Sequence, residues 1–117
     1  MEIIVVNAPK KYGDMIGKLP RDVSIHRKPK QASKFIHAFA TKKRDLETSL
    51  PRLARKLATD GSLWISWPKR SSEVGADLNE NVVRDVGLKN GLVDVKVVAI
   101  DETWSGVRFV YRLKDRK

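Results

Sequence analysis

The sequence predicts a doubly wound α/β domain, a mostly parallel sheet covered by helices. Three observations carry this. Apolar runs of strand length alternate with segments of helical spacing in the order β-α-β-β-α-β-α-β-β. Crossovers between parallel strands are right-handed as a rule, which lays the helices against the sheet. Only a short loop separates the last two strands, so these should form an antiparallel hairpin.

Each element has its own signal. Ile3 to Ala8 is a largely apolar run, as expected of a strand buried on both faces, and Pro9 ends it. Tyr12, Met15, Ile16 and Leu19 recur at helical spacing over Lys10 to Leu19. After a turn at Leu19-Pro20-Arg21-Asp22, Val23-Ser24-Ile25-His26 alternates like a half-exposed strand, followed by the basic connection Arg27-Lys28-Pro29-Lys30. Phe35 to Thr41 is a third strand. Leu46, Leu50, Leu53, Ala54 and Leu57 mark one face of a helix that Asp60-Gly61 should stop, with Gly61 just past its end. Pro51 should kink or restart that helix, because its ring blocks the bond to residue 47.

Ser62 to Trp67 is the fourth strand and Ser71 to Ala76 a loop. Asp77-Leu78-Asn79-Glu80 resembles a capping box, opening a helix that buries Leu78, Val82, Val83 and Val86 until Asn90-Gly91. Val93 to Ile100 is the fifth strand. Val107, Phe109, Tyr111 and Leu113 alternate with Arg108, Val110, Arg112 and Lys114 as the sixth.

Composition bounds the function. The 117 residues suit one domain, with 41% hydrophobic and 32% charged residues. No apolar run reaches a membrane span. The start, Met1-Glu2-Ile3-Ile4-Val5-Val6, reads as a strand and not as a secretory signal. With no cysteine there is no disulfide framework, thiolate nucleophile or Cys-based zinc site, and a cytoplasmic location is the default. The net charge is +10, nearly all of it in residues 1–59. That favours anionic partners, either a small molecule or nucleic acid, or else serves only solubility.

Leu63-Trp64-Ile65-Ser66-Trp67-Pro68-Lys69-Arg70-Ser71-Ser72, Gly91-Leu92-Val93-Asp94-Val95-Lys96 and Asp101-Glu102-Thr103-Trp104-Ser105-Gly106 resemble a family of small bacterial proteins of unknown function. Residues 60–114 carry this strongly and residues 3–59 weakly. The run of elements also resembles a truncated Rossmann-like methyltransferase domain. That resemblance implies the strand order 2-1-3-4-6-5, with the methyltransferase third strand missing. It further implies a glycine-rich cofactor loop after strand one and an acidic residue at the end of strand two. The sequence departs at both places, with Asn7-Ala8-Pro9-Lys10 and no glycine before Gly13, and with the basic Ile25-His26-Arg27-Lys28. These departures speak against S-adenosylmethionine binding and for a non-catalytic relative without a cofactor.

In such a sheet, ligands bind beyond the carboxyl ends of the strands. There the sequence gathers Asn7 and Lys10, Thr41-Lys42-Lys43-Arg44, Lys69 and Arg70 with Ser71 and Ser72, and Asp101, Glu102 and Trp104. Lys69 is either an anion ligand or a structural partner of Asp101 or Glu102. Trp67 and Trp104 either stack on a ring or pack, whereas Trp64 packs. Ser71 and Ser72 either donate to phosphate or belong to a loop in which Ser72 or Asp77 caps the next helix. Asp101 and Glu102, adjacent on an extended chain, point apart and make a poor acid–base pair.

Of the two histidines, His37 reads as a satisfied core residue. With His26 on another strand, no Cys and no His-x-x-x-His spacing, the sequence speaks against a zinc site. Neither a Gly-x-Ser-x-Gly elbow nor a glycine-rich phosphate loop is present. The leading expectation is a non-catalytic module for an anionic or phosphorylated ligand at the carboxyl edge. Its alternatives are non-specific nucleic-acid binding, a degenerate S-adenosylmethionine-dependent methyltransferase, and self-association through strand five or two.

Overall fold

The computed structural model describes residues 2–9, 24–28, 30–69, 77–100 and 102–112. Strands β1 (Glu2–Val6), β2 (Ser24–His26), β3 (Ser33–Phe39), β4 (Leu57–Pro68), β5 (Leu92–Ala99) and β6 (Trp104–Tyr111) form one sheet. Their order is β2-β1-β3-β4-β6-β5, the order the sequence implied. The pairs among β1 to β4 are parallel, and β6 runs antiparallel to both β4 and β5. Helices α1 (Lys43–Lys56) and α2 (Glu80–Lys89) complete the described architecture. The helix expected over Lys10 to Leu19 and the loop expected over Ser71 to Ala76 lie outside the described residues.

Both helices pack on one face of the sheet. Leu46, Leu50 and Leu53 of α1 join Val83 and Val86 of α2 in a single core with Ile4, Ile36, Leu63, Ile65 and Phe109. The opposite face carries Val5, His37, Phe39 and Val110, which are also buried. The central strands are therefore apolar on both sides, which explains their unbroken hydrophobic runs. Burial of this kind is worth about 1.5–3 kcal/mol for each large aliphatic side chain, the main source of stability here.

Several details differ from the sequence reading. Helix α1 ends at Lys56, and Leu57 is already extended, its N–H bonding Ala54 O. Gly61 is not a helix cap. It lies within β4, at an irregularity where pairing passes from Ser33↔Leu57 to Phe35↔Ser62. A Cβ at Gly61 would stand 3.0 Å from Lys34 O, so close backbone approach is the reason for this glycine. Pro51 neither stops nor restarts α1, which runs through it. The buried side chains on either side of Pro51 offset the single bond it removes.

Helix α2 opens as its sequence suggests but with a different division of labour. Asn79 is the N-cap, its side-chain oxygen accepting from Val82 N–H at 2.9 Å. Asp77 serves the preceding helix instead, because Lys42, the N-cap of α1, supplies no side-chain acceptor. Asp77 Oδ1 accepts from Lys43 N–H at 2.6 Å, and Asp77 N–H donates to Thr41 O at 3.1 Å. At the other end of α2, Gly91 takes a left-handed φ of 82°, the turn expected of Asn90-Gly91. Gly87 gives Phe109 its place: a Cβ there would lie 2.2 Å from the ring.

Candidate functional site

The carboxyl ends of β1 and β3 flank the point where strand order reverses, and a cleft of about 550 Å³ opens there. That volume falls in the range of small-molecule sites. Its walls come from separate elements. Asn7 follows β1, Phe39 ends β3, Thr41 leads into α1, Arg44 and Asp45 occupy the first turn of α1, and Trp104 begins β6.

Local structure explains how each arrives. Asn7 has a left-handed φ of 56°, which asparagine tolerates better than most residues, so β1 turns sharply where it meets the cleft. Trp104 is placed by the β4–β6 register, opposite Pro68, and by Ile100 N–H, which donates to Trp104 O at 2.9 Å. Its ring meets Phe39 edge to face at 5.1 Å. Phe39 in turn stacks on His37 at 4.4 Å. His37 Nε2 and Ser66 Oγ share a hydrogen bond of 2.7 Å in the buried layer behind the cleft. Burial lowers the His37 pKa to about 4, so the ring is neutral at ordinary pH and acts as packing, as its sequence setting suggested.

Of the sequence-predicted residues, the cleft unites Asn7 and Trp104. Lys69 and Glu102 are exposed at the same edge, where Lys69 N–H donates to Thr103 O at 2.8 Å, but neither lines the cleft. Of the two carboxylates weighed as a structural partner of Lys69, Glu102 forms no ion pair with it, and Asp101 lies outside the described residues. Lys10, Arg70, Ser71, Ser72 and Asp101 lie outside the described residues. Trp67 is no stacking platform: it is 5% exposed and belongs to the core beneath the helices. Sequence reasoning placed Thr41 and Arg44 at this edge without making them site residues, and it missed Phe39 and Asp45. The available signal was the first turn of a helix that follows a central strand.

No family model matches the sequence, and none of the curated proteins does. Solved structures do. A SAM-dependent methyltransferase from Aquifex aeolicus is similar over 93% of this chain and 81% of its own, at 13% identity and a TM-score of 0.59. LepI in complex with SAM is similar over 95% of this chain, at 13% identity and a TM-score of 0.60. The magnesium protoporphyrin IX methyltransferase of Synechocystis, with bound SAH, matches over 77% of this chain, at 12% identity and a TM-score of 0.54. The chain spans 36% of LepI's length and 51% of the Synechocystis enzyme's. The fold is the Rossmann-like fold of these methyltransferases. The small family of unknown function that the motifs resemble finds no matching model.

At the end of β2 the residues present do not suit S-adenosylmethionine. A ribose diol at the end of β2 calls for an acidic acceptor, and the chain has His26, Arg27 and Lys28 there. His26 Nε2 is already 3.2 Å from Ser24 Oγ and 3.5 Å from Glu2 Oε1. Among the described residues no helix is long and apolar enough to cross a membrane, and no His/Cys/Asp/Glu group could hold a metal.

Proposed function

We propose that this chain is a non-catalytic binding module on a methyltransferase-like fold, and that its cleft takes an anionic ligand with a flat ring, of nucleotide size. One observation carries the reading. The cleft sets an aromatic wall, Trp104 against Phe39, beside the Arg44 guanidinium at the switch point of the sheet. A ring stacks on the indole, Arg44 meets a phosphate in a bidentate pair, and the Asn7 amide and Thr41 hydroxyl orient what lies between.

The amino end of α1 adds less than a helix end ordinarily would. Asp77 already takes its first amide, and Asp45 stands in its first turn. The ligand's anion is therefore assigned to the Arg44 side chain and not to the helix backbone. A non-catalytic role is supported by His37, whose imidazole is engaged with Ser66 behind the cleft and not within it.

Calorimetric titration with AMP, ATP and S-adenosylmethionine tests the proposal. Nucleotide binding is expected, with Trp104→Ala weakening it by about fivefold to a hundredfold, the usual worth of one stacked base. Arg44→Ala should weaken ATP binding by about tenfold or more. Heat with S-adenosylmethionine alone would favour the methyltransferase-relative reading. No heat with any nucleotide would end the proposal.

A further inference from the structure

At the opposite edge of the sheet the two helices end close together, and one strand ties both ends. The Tyr111 hydroxyl, at the end of β6, donates to Ala54 O in the last turn of α1. The next residue, Arg112, donates through Nη2 to Leu88 O in the last turn of α2 at 3.2 Å. Beside these anchors stand Arg55 and Lys56 of α1 and Lys89 of α2, all exposed. Four cations from three elements thus converge on one edge. They form no ion pair among the described residues.

Two carboxylates near this edge are already matched, Glu2 at 3.2 Å from Lys30 and Asp60 at 3.3 Å from Lys34, and Asp85, one turn before Lys89 on α2, is exposed and forms no ion pair with it. A cation in the last turn steadies its own helix. That role does not require the two helix ends to meet, nor an arginine beyond β6 to join them. Held on a rigid frame, the four charges lose little freedom on engaging a repeating anion.

We infer that Arg55, Lys56, Lys89 and Arg112 form a second binding surface, one that engages the phosphate backbone of nucleic acid without reading its sequence. No described recognition helix or stacking sheet accompanies them, so the contact is with phosphates alone. The surface is separate from the cleft and does not depend on what the cleft binds.

Anisotropy of a fluorescein-labelled DNA duplex of about 20 base pairs, from about 50 to about 200 mM salt, tests this. Affinity should fall steeply with salt, with a log–log slope of about −3 for three or four phosphates. The double variant Arg55→Glu/Lys89→Glu should lose at least tenfold in affinity, and its slope should flatten by about two. A charge-matched control, Lys28→Glu/Lys96→Glu, changes net charge equally at other exposed sites and should lose much less. Circular dichroism checks that both variants are folded. A flat salt dependence, equal losses in the two doubles, or equal competition by polyglutamate would each overturn the assignment.

Discussion

The Asp77 carboxylate closes the amino end of α1 from 34 residues away, accepting from Lys43 N–H at 2.6 Å. Its own N–H holds Thr41 O, so the wall of the cleft is pinned to the chain entering α2. Asp77→Ala leaves the Lys43 amide without this acceptor and should lower stability by about 1 kcal/mol, the usual worth of a helix cap. Asp77→Asn keeps an acceptor and should lose less. Urea unfolding of the two variants measures both.

Gly87→Ala reverses the usual rule for helices. In an exposed helix the change gains about 1 kcal/mol in propensity. Here the new methyl would lie 2.2 Å from Phe109, whose ring is fully buried and cannot retreat. A net loss of about 1–3 kcal/mol is expected from overpacking, read as a fall in Tm.

His37 makes the fold sensitive to acid. Its folded pKa, about 4, lies below the ordinary histidine value of 6.5, so the unfolded chain binds the proton more readily. The contribution is fully present above about pH 6.5 and is lost as pH falls toward 4, by up to about 3 kcal/mol. His37→Gln removes the titration. Its unfolding free energy should therefore change less between pH 7 and pH 4.5 than that of the parent chain.

Ala32 holds a φ of 61°, which places its Cβ in a conformation that costs an L-residue about 1–2 kcal/mol. Glycine relieves the strain but loses more freedom on folding. Ala32→Gly should come out more stable by about 0.5–1 kcal/mol, visible as a raised midpoint in chemical denaturation.

Much of this architecture was legible because burial writes itself into periodicity. The runs at Ile3 to Val6 and Phe35 to Phe39, the face of Leu46, Leu50 and Leu53, and the Asn90-Gly91 stop all appear as expected. What escaped depends on contacts distant in sequence. Gly61 looks like a helix stop until β3 is seen to crowd it, and Asp77 looks local until Lys43 arrives beside it. The same holds for the site. Asn7 and Trp104 could be named from the edge they occupy, but Phe39 and Asp45 enter only through a cleft that four elements build. The choice left open for Trp67 is settled by alternation along β4, which turns it to the face beneath the helices.

The antiparallel run of β6 has a further consequence. Trp104 stands at one end beside the cleft and Tyr111 at the other beside the helix ends, seven residue steps apart, which is about 23 Å along a strand. A small molecule at the first end and an extended polymer at the second would therefore not compete for space. If both proposed sites are filled, the sheet would act as a spacer between them, each loading independently of the other.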